Sequence, residues 1–303
     1  MCEAREFLES KEIELLRDFR SELAALDSYC LLGDMNFAGC HLPDYRRRVI
    51  QQYYLLRFLP AYFVEYRRMF QRIIQRGFVQ PDYRVLSLGT GCGLDYFGLM
   101  FAVAEACSPA ASLQAAAETV SYTGIDRVDW AYREDFGNAH CAYLQRDLTR
   151  MEALPAADCN ILMFPKSVGE FDEDGWRKLC QLMARTQFSA DRLVLAASLR
   201  EMRCLPDSGR VEELVTFLCQ SQGYRVAAAP IESRAGMRGD GHFSDYCPDF
   251  FLLPEVKTVT KNLFQRCPQA AVPGHVCHCE GRWPISKFSH VEYRIIELIK
   301  EAA

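Results

Sequence analysis

The chain has 303 residues, half of them hydrophobic and a quarter charged, with a formal net charge of -5. That length buries a large core and suits one large domain with additions or two smaller ones, and the acidic balance argues against a protein that coats nucleic acid through overall charge. No run of about 18 apolar residues is present to span a membrane. Met1-Cys2-Glu3-Ala4-Arg5-Glu6 lacks the basic start and apolar stretch of a secretory signal, so a cytoplasmic chain with its 14 cysteines as reduced thiols is expected.

Phe7, Leu8, Ile13, Leu16, Phe19, Leu23 and Leu26 recur at spacings of three and four, which predicts an amphipathic helix over 3–29. Gly33 and Gly39 then break the helical period. Residues 44–76 read as one or two helices, with Pro60 as a boundary or kink, and Gly77 and Pro81 close the helical region. The period changes at this point. Arg84–Leu88 is a short strand entering a glycine turn, 95–107 an apolar helix, and Ala-rich 110–117 an extension of helix or loop. Strands are expected at 122–126, 142–145, 160–164, 192–197 and 224–229, with helices after the first of these and at 173–186 and 210–221. Residues 231–288 show no clear period, and 290–299 read as a closing strand, with a short helix as the alternative. Strands alternating with helices imply a parallel sheet with right-handed crossovers.

The main signal is Val85-Leu86-Ser87-Leu88-Gly89-Thr90-Gly91-Cys92-Gly93-Leu94-Asp95, a strand, a turn and a helix start. A dinucleotide site needs G-x-G-x-x-G, its third glycine letting helix and strand pack closely. That register fails here: the sixth position is Leu94 counted from Gly89, or Tyr96 counted from Gly91. The G-x-G-x-G that is present resembles the first motif of class I S-adenosylmethionine-dependent methyltransferases. Tyr122-Thr123-Gly124-Ile125-Asp126, Arg146-Asp147-Leu148 and Asn160–Ser167 resemble the later motifs, in the same order.

The resemblance implies an α/β, Rossmann-like class I methyltransferase sheet with helices on both faces. An N-terminal helical cap (1–80) would precede a cofactor domain (81–303) carrying an insert, 231–288, before the last strand. The strands 224–229 and 291–299 would form the family's antiparallel pair. It also implies that S-adenosylmethionine is held by Gly89, Thr90, Gly91 and Gly93, with Asp126 on the ribose hydroxyls. Asp147 and Leu148 would flank the adenine, and the strand end at Phe164 would border the methyl group. Where the family usually carries an acid two residues before the first glycine, this chain has Ser87, and Gly93 and Asp126 stand 33 positions apart where roughly 20 is usual in the related dinucleotide unit.

The acceptor is less legible. Phe164-Pro165-Lys166-Ser167 is not the Asn/Asp-Pro-Pro-Tyr/Phe type tied to base and amide nitrogens, and Lys166 could meet an anionic acceptor but reads rather as a solvated loop lysine. His242 and Asp245 could form a base pair but read as an ordinary polar loop. Cys267, His275, Cys277, His278 and Cys279 fall within 13 residues. The Cys277-x-Cys279 spacing is tighter than a zinc knuckle, so loop thiols or a local disulfide are expected rather than a metal. Arg46, Arg47, Arg48, Arg57, Arg67, Arg68, Arg72 and Arg76 lie among Tyr53, Tyr54, Tyr62 and Tyr66. They read as a solvated face or a lid over a small-molecule acceptor. Gripping RNA or another nucleic acid is the first alternative, and a non-catalytic S-adenosylmethionine-binding module the second.

Overall fold

The computed structural model describes residues 2–36, 42–79, 82–107, 113–199, 204–227, 242–243, 253–261, 263, 266–274 and 291–301. The chain forms two compact units, residues 1–62 with 247–288, and residues 63–246 with 289–303. The division falls inside the helix α2, Arg48–Gln75, which Pro60 neither ends nor splits. Pro60 leaves the Leu56 carbonyl without its usual donor, and a buried, largely apolar flank on both sides of it keeps the helix continuous.

The first unit contains α1 (Cys2–Ala24), a 3-10 helix (Cys30–Asn36), the first part of α2, and a second 3-10 helix (Pro268–Ala271). A short helix, Pro254–Lys261, also belongs to it. Phe19 stacks on Tyr53 with ring centroids 5.8 Å apart. Glu12 is buried and accepts the Leu253 N–H at 2.9 Å, just ahead of the Pro254–Lys261 helix. Burial pushes its carboxyl up to about 7, against the pull of that N–H. The folded chain therefore holds this proton more tightly than the unfolded one. The stability it contributes is present at low pH and is lost as the pH rises through about 7. Urea unfolding at about pH 5 and about pH 8 should show wild type losing more stability over that interval than Glu12→Gln.

The second unit is built on a sheet of β1 (Tyr83–Leu88), β2 (Val120–Asp126), β3 (Cys141–Gln145), β4 (Ile161–Pro165) and β5 (Arg192–Leu199). Three further strands, β6 (Tyr224–Val226), β7 (His242–Phe243) and β8 (Val291–Lys300), complete it. The order is β3-β2-β1-β4-β5-β8-β6, with β7 on β8. Strands β1 to β5 are mutually parallel. Strand β8 lies antiparallel between β5 and β6, so the expected closing pair forms. This is an α/β, Rossmann-like sheet, as expected.

Alternation along the strands sends side chains to two faces. Leu86, Leu88, Leu162, Phe164, Leu195 and Ala197 share a core cluster with Trp176, Leu179 and Met183 of α5 (Glu173–Arg185) and with Val211, Leu214 and Leu218 of α6 (Cys204–Gln222). On the other face, Ser87 stands beside Asp95 of α3 (Leu94–Cys107), which a short α4 (Leu113–Ala117) follows. Apart from Asp95, helix α3 is largely apolar and buried from Leu94 to Ala104, as a core helix should be. Helix α6 starts six residues before the expected 210, because Pro206 fits a first helical turn, where its missing N–H has no partner to lose.

One expected helix does not form. Residues 127–140 are a loop, in which Tyr132, Phe136 and Gly137 all have positive φ, a sequence of conformations no α-helix accommodates. The carboxyl of Asp135 takes the N–H of Gly137, and the side-chain oxygen of Asn138 takes that of His140. These local turns outcompete the helix. No helix among the described residues is long and apolar enough to cross a membrane.

Candidate functional site

The site is built where β1 ends. Order reverses between β1 and β4, whose neighbours run off in opposite directions, and such a switch point opens a crevice at the carboxyl ends of the strands. Gly89, Gly91 and Gly93 have φ of +74°, +58° and +83°, the left-handed region in which side chains are strained. At Gly89 a Cβ would also lie 2.5 Å from Ser167 Cβ. At Gly91 it would meet nothing nearer than the Trp130 ring, at 3.6 Å.

The turn is sewn to the end of β2. Gly89 and Thr90 both donate their N–H to the Ile125 carbonyl, at 2.8 and 3.1 Å. Asp126 receives the Gly91 N–H on Oδ2 at 2.9 Å and the Val128 N–H on Oδ1 at 2.8 Å. Burial raises its pKa, against the pull of those two N–H groups and of the Arg133 charge. Arg133 itself donates to the Gly91 carbonyl at 3.2 Å, so the 127–140 loop folds back onto the turn. A carboxylate has about four acceptor positions. Asp126 spends two on the backbone N–H groups of Gly91 and Val128, and the Trp130 side chain also draws on it.

Asp147 comes after β3, whose end is tied to β2 by the Arg146 N–H to the Asp126 carbonyl at 2.9 Å. It caps a 3-10 helix (Leu148–Arg150), accepting the Thr149 N–H at 3.0 Å and the Thr149 hydroxyl at 2.7 Å. Burial alone would raise this carboxyl, but those bonds and Arg150 hold it below its ordinary value. Leu148 and Phe164 both pack into the α5–α6 core cluster, and Phe164 is fully buried there.

Two groups at the site carry no recognisable sequence motif. Asp95 is fully buried beneath the turn. Its carboxyl oxygens lie 2.9 Å from the Tyr122 hydroxyl and 3.2 Å from the Thr90 hydroxyl, and the two hydroxyls also lie within hydrogen-bond reach of each other, so two O–H hydrogens are shared among three contacts. Burial pushes its carboxyl up to about 6, with the Ser87, Tyr122 and Thr90 hydroxyls pulling the other way. A carboxylate thus stands beside Ser87, contributed by α3. Its signal in the sequence is a lone acid in an otherwise apolar stretch of helix. The second group corrects the reading of Lys166 as a solvated lysine. Its side chain is 16% exposed and pairs with Glu65 Oε1 at 2.8 Å. Glu65 lies on the buried stripe of α2 with Met69 and Ile73, and a charge on that stripe is the clue.

Other expected residues lie apart from this site. Cys267 is buried in the first unit and accepts the Tyr29 N–H at 3.3 Å, while His275, Cys277, His278 and Cys279 fall outside the described residues. Asp245 also falls outside them, and His242 is described only as backbone of β7. Several arginines serve their own unit. Arg46 pairs with Asp44, Arg48 with Asp18, Arg67 with Glu105, and Arg57 donates to the Met35 carbonyl.

No protein-family model and no curated protein matches the chain. Many solved structures do resemble it. A TehB-like SAM-dependent methyltransferase from Corynebacterium glutamicum is 10% identical over 77% of this chain and 88% of its own, with a TM-score of 0.37. The plantazolicin methyltransferase BpumL, in complex with a monoazolic desmethylPZN analog and SAH, is 13% identical over 98% of this chain and 100% of its own, with a TM-score of 0.44. Magnesium protoporphyrin IX methyltransferase from Synechocystis PCC 6803, with bound SAM, is 12% identical over 88% of each chain, with a TM-score of 0.34.

Proposed function

We propose that this chain is an S-adenosylmethionine-dependent methyltransferase acting on a small-molecule acceptor. The observation that carries the reading is the glycine turn at the switch point, joined through the Gly91 N–H to the Asp126 carboxylate at the end of β2. In this reading the backbone of Gly89, Thr90, Gly91 and Gly93 lies along the cofactor, and Asp126 takes the ribose hydroxyls. Leu148 and the Asp147 loop flank the adenine, and the end of β4 at Phe164 borders the reacting methyl. When bound, the cofactor supplies an electrophilic methyl on a sulfonium. The protein's share is to hold the nucleophile in line with it and to exclude water.

The small-molecule reading is favoured by charge. The chain is net acidic, and Arg46, Arg48 and Arg67 are paired with its own carboxylates, which leaves them less available to phosphates. Calorimetry tests the proposal. S-adenosylhomocysteine should bind with micromolar or tighter affinity, and Asp126→Ala should weaken it at least tenfold by removing two charge-assisted hydrogen bonds. Folded wild type that binds neither S-adenosylhomocysteine nor S-adenosylmethionine would end this reading.

A further inference from the structure

We infer that Glu65 is an acceptor-binding residue, and that the acceptor it selects is a neutral nucleophile carrying an O–H or N–H. The inference rests on the methyl-transfer reading. Glu65 is 1% exposed. One carboxylate oxygen, Oε1, takes the Lys166 ammonium at 2.8 Å and the Ser198 hydroxyl. The other, Oε2, is buried and has no hydrogen-bond partner among the described residues. A buried carboxylate oxygen without a donor is costly to keep, and a donor brought by a ligand would relieve that cost.

The position of that oxygen points to the acceptor. Lys166 and Ser198 stand at the carboxyl ends of β4 and β5. Lys166 donates its N–H to the Ser198 carbonyl at 3.1 Å and its ammonium to the Leu199 carbonyl at 3.1 Å. The next residue, Ser167, bonds the Leu88 carbonyl at 2.5 Å and sits against Gly89. Glu65 is therefore held by residues that follow β4 and end β5, and the next residue along from Lys166 touches the glycine turn. Lys166 is held at φ +59°, a left-handed conformation costly for lysine. That strain is accepted where it turns the ammonium onto Glu65.

The pairing sets the chemistry of the pocket. Oε2 can only accept, so it requires a donor hydrogen on the ligand. The Glu65 charge is already balanced by Lys166, so a neutral donor fits better than a cation. Tertiary amines and thioethers, which lack that hydrogen when neutral, would leave Oε2 unpaired and be rejected.

Two matched pairs of small neutral probes test this on the full-length protein. Binding of phenol against anisole, and of aniline against N,N-dimethylaniline, would be measured by titration with S-adenosylhomocysteine present. Wild type should prefer the donor of each pair by about tenfold or more. Glu65→Gln should erase the preference, because its amide group presents a donor where Oε2 stood. If that variant does not fold, Glu65→Asp, which withdraws the carboxylate by one methylene, takes its place. Equal affinity within the pairs on wild type, no binding of any probe, or a preference that survives the substitution overturns the inference. Titration of S-adenosylhomocysteine on the same wild-type samples separates the two readings. Its failure with the probe preference intact strikes the cofactor assignment and leaves the donor-selecting carboxylate standing.

Discussion

Gly89→Ala should cost about 2–5 kcal/mol of stability and abolish binding of S-adenosylhomocysteine. Two independent penalties add up to that figure. An L-residue at φ +74° pays about 1–2 kcal/mol for its left-handed backbone. A methyl placed 2.5 Å from Ser167 Cβ forces β4 and the turn apart, at about 1–3 kcal/mol for overpacking. Gly91→Ala separates the two, since its φ is +58° but its methyl would meet only the Trp130 ring at 3.6 Å. It should cost the backbone term alone, about 1–2 kcal/mol. Adding Ser167→Gly to Gly89→Ala should recover part of the steric term, less the Ser167 bond to the Leu88 carbonyl. Urea unfolding of the four proteins gives these differences directly. If Gly89→Ala and Gly91→Ala prove equally mild, the contact with Ser167 does not hold the turn in place.

The legible parts of this fold are the local ones. Arg84–Leu88 and its glycine turn announce themselves within ten residues, because the strand period, the glycines and the helix start are all encoded side by side. The 127–140 loop is harder to read. Its conformation is set by turn-forming side chains at Asp135 and Asn138 and by Arg133 reaching back to Gly91, and none of these disturbs a helical-looking composition. The charged groups of the site are hidden for a different reason. Glu65 and Ser198 lie 133 residues apart in sequence, and a lone acid on an apolar helix stripe has no visible partner until the sheet brings β4 and β5 to it. Asp147 is visible as an acid after β3, but only the structure shows it capping the next turn with its own carboxylate.

Asp95 makes the stability of the glycine turn depend on pH, and Asp95→Asn should remove that dependence. Its carboxyl is pushed up to about 6 by burial, well above an unfolded aspartate near 4. The folded protein therefore keeps this proton where the unfolded chain has released it. The stability contributed is full below about pH 4, falls as the pH rises, and is lost once the pH passes about 6. Each tenfold change in proton affinity is worth about 1.4 kcal/mol, so the swing is about 3 kcal/mol. Other carboxylates titrate in the same interval, which makes the informative quantity the difference between wild type and Asp95→Asn. The asparagine has no charge to desolvate, and the Tyr122 and Thr90 hydroxyls can rotate to pair with its amide. Between about pH 4 and about pH 7, stability should therefore shift by about 3 kcal/mol in favour of the variant. A difference that stays flat across this interval would mean that Asp95 is ionised throughout, with the hydroxyls around it compensating for its burial.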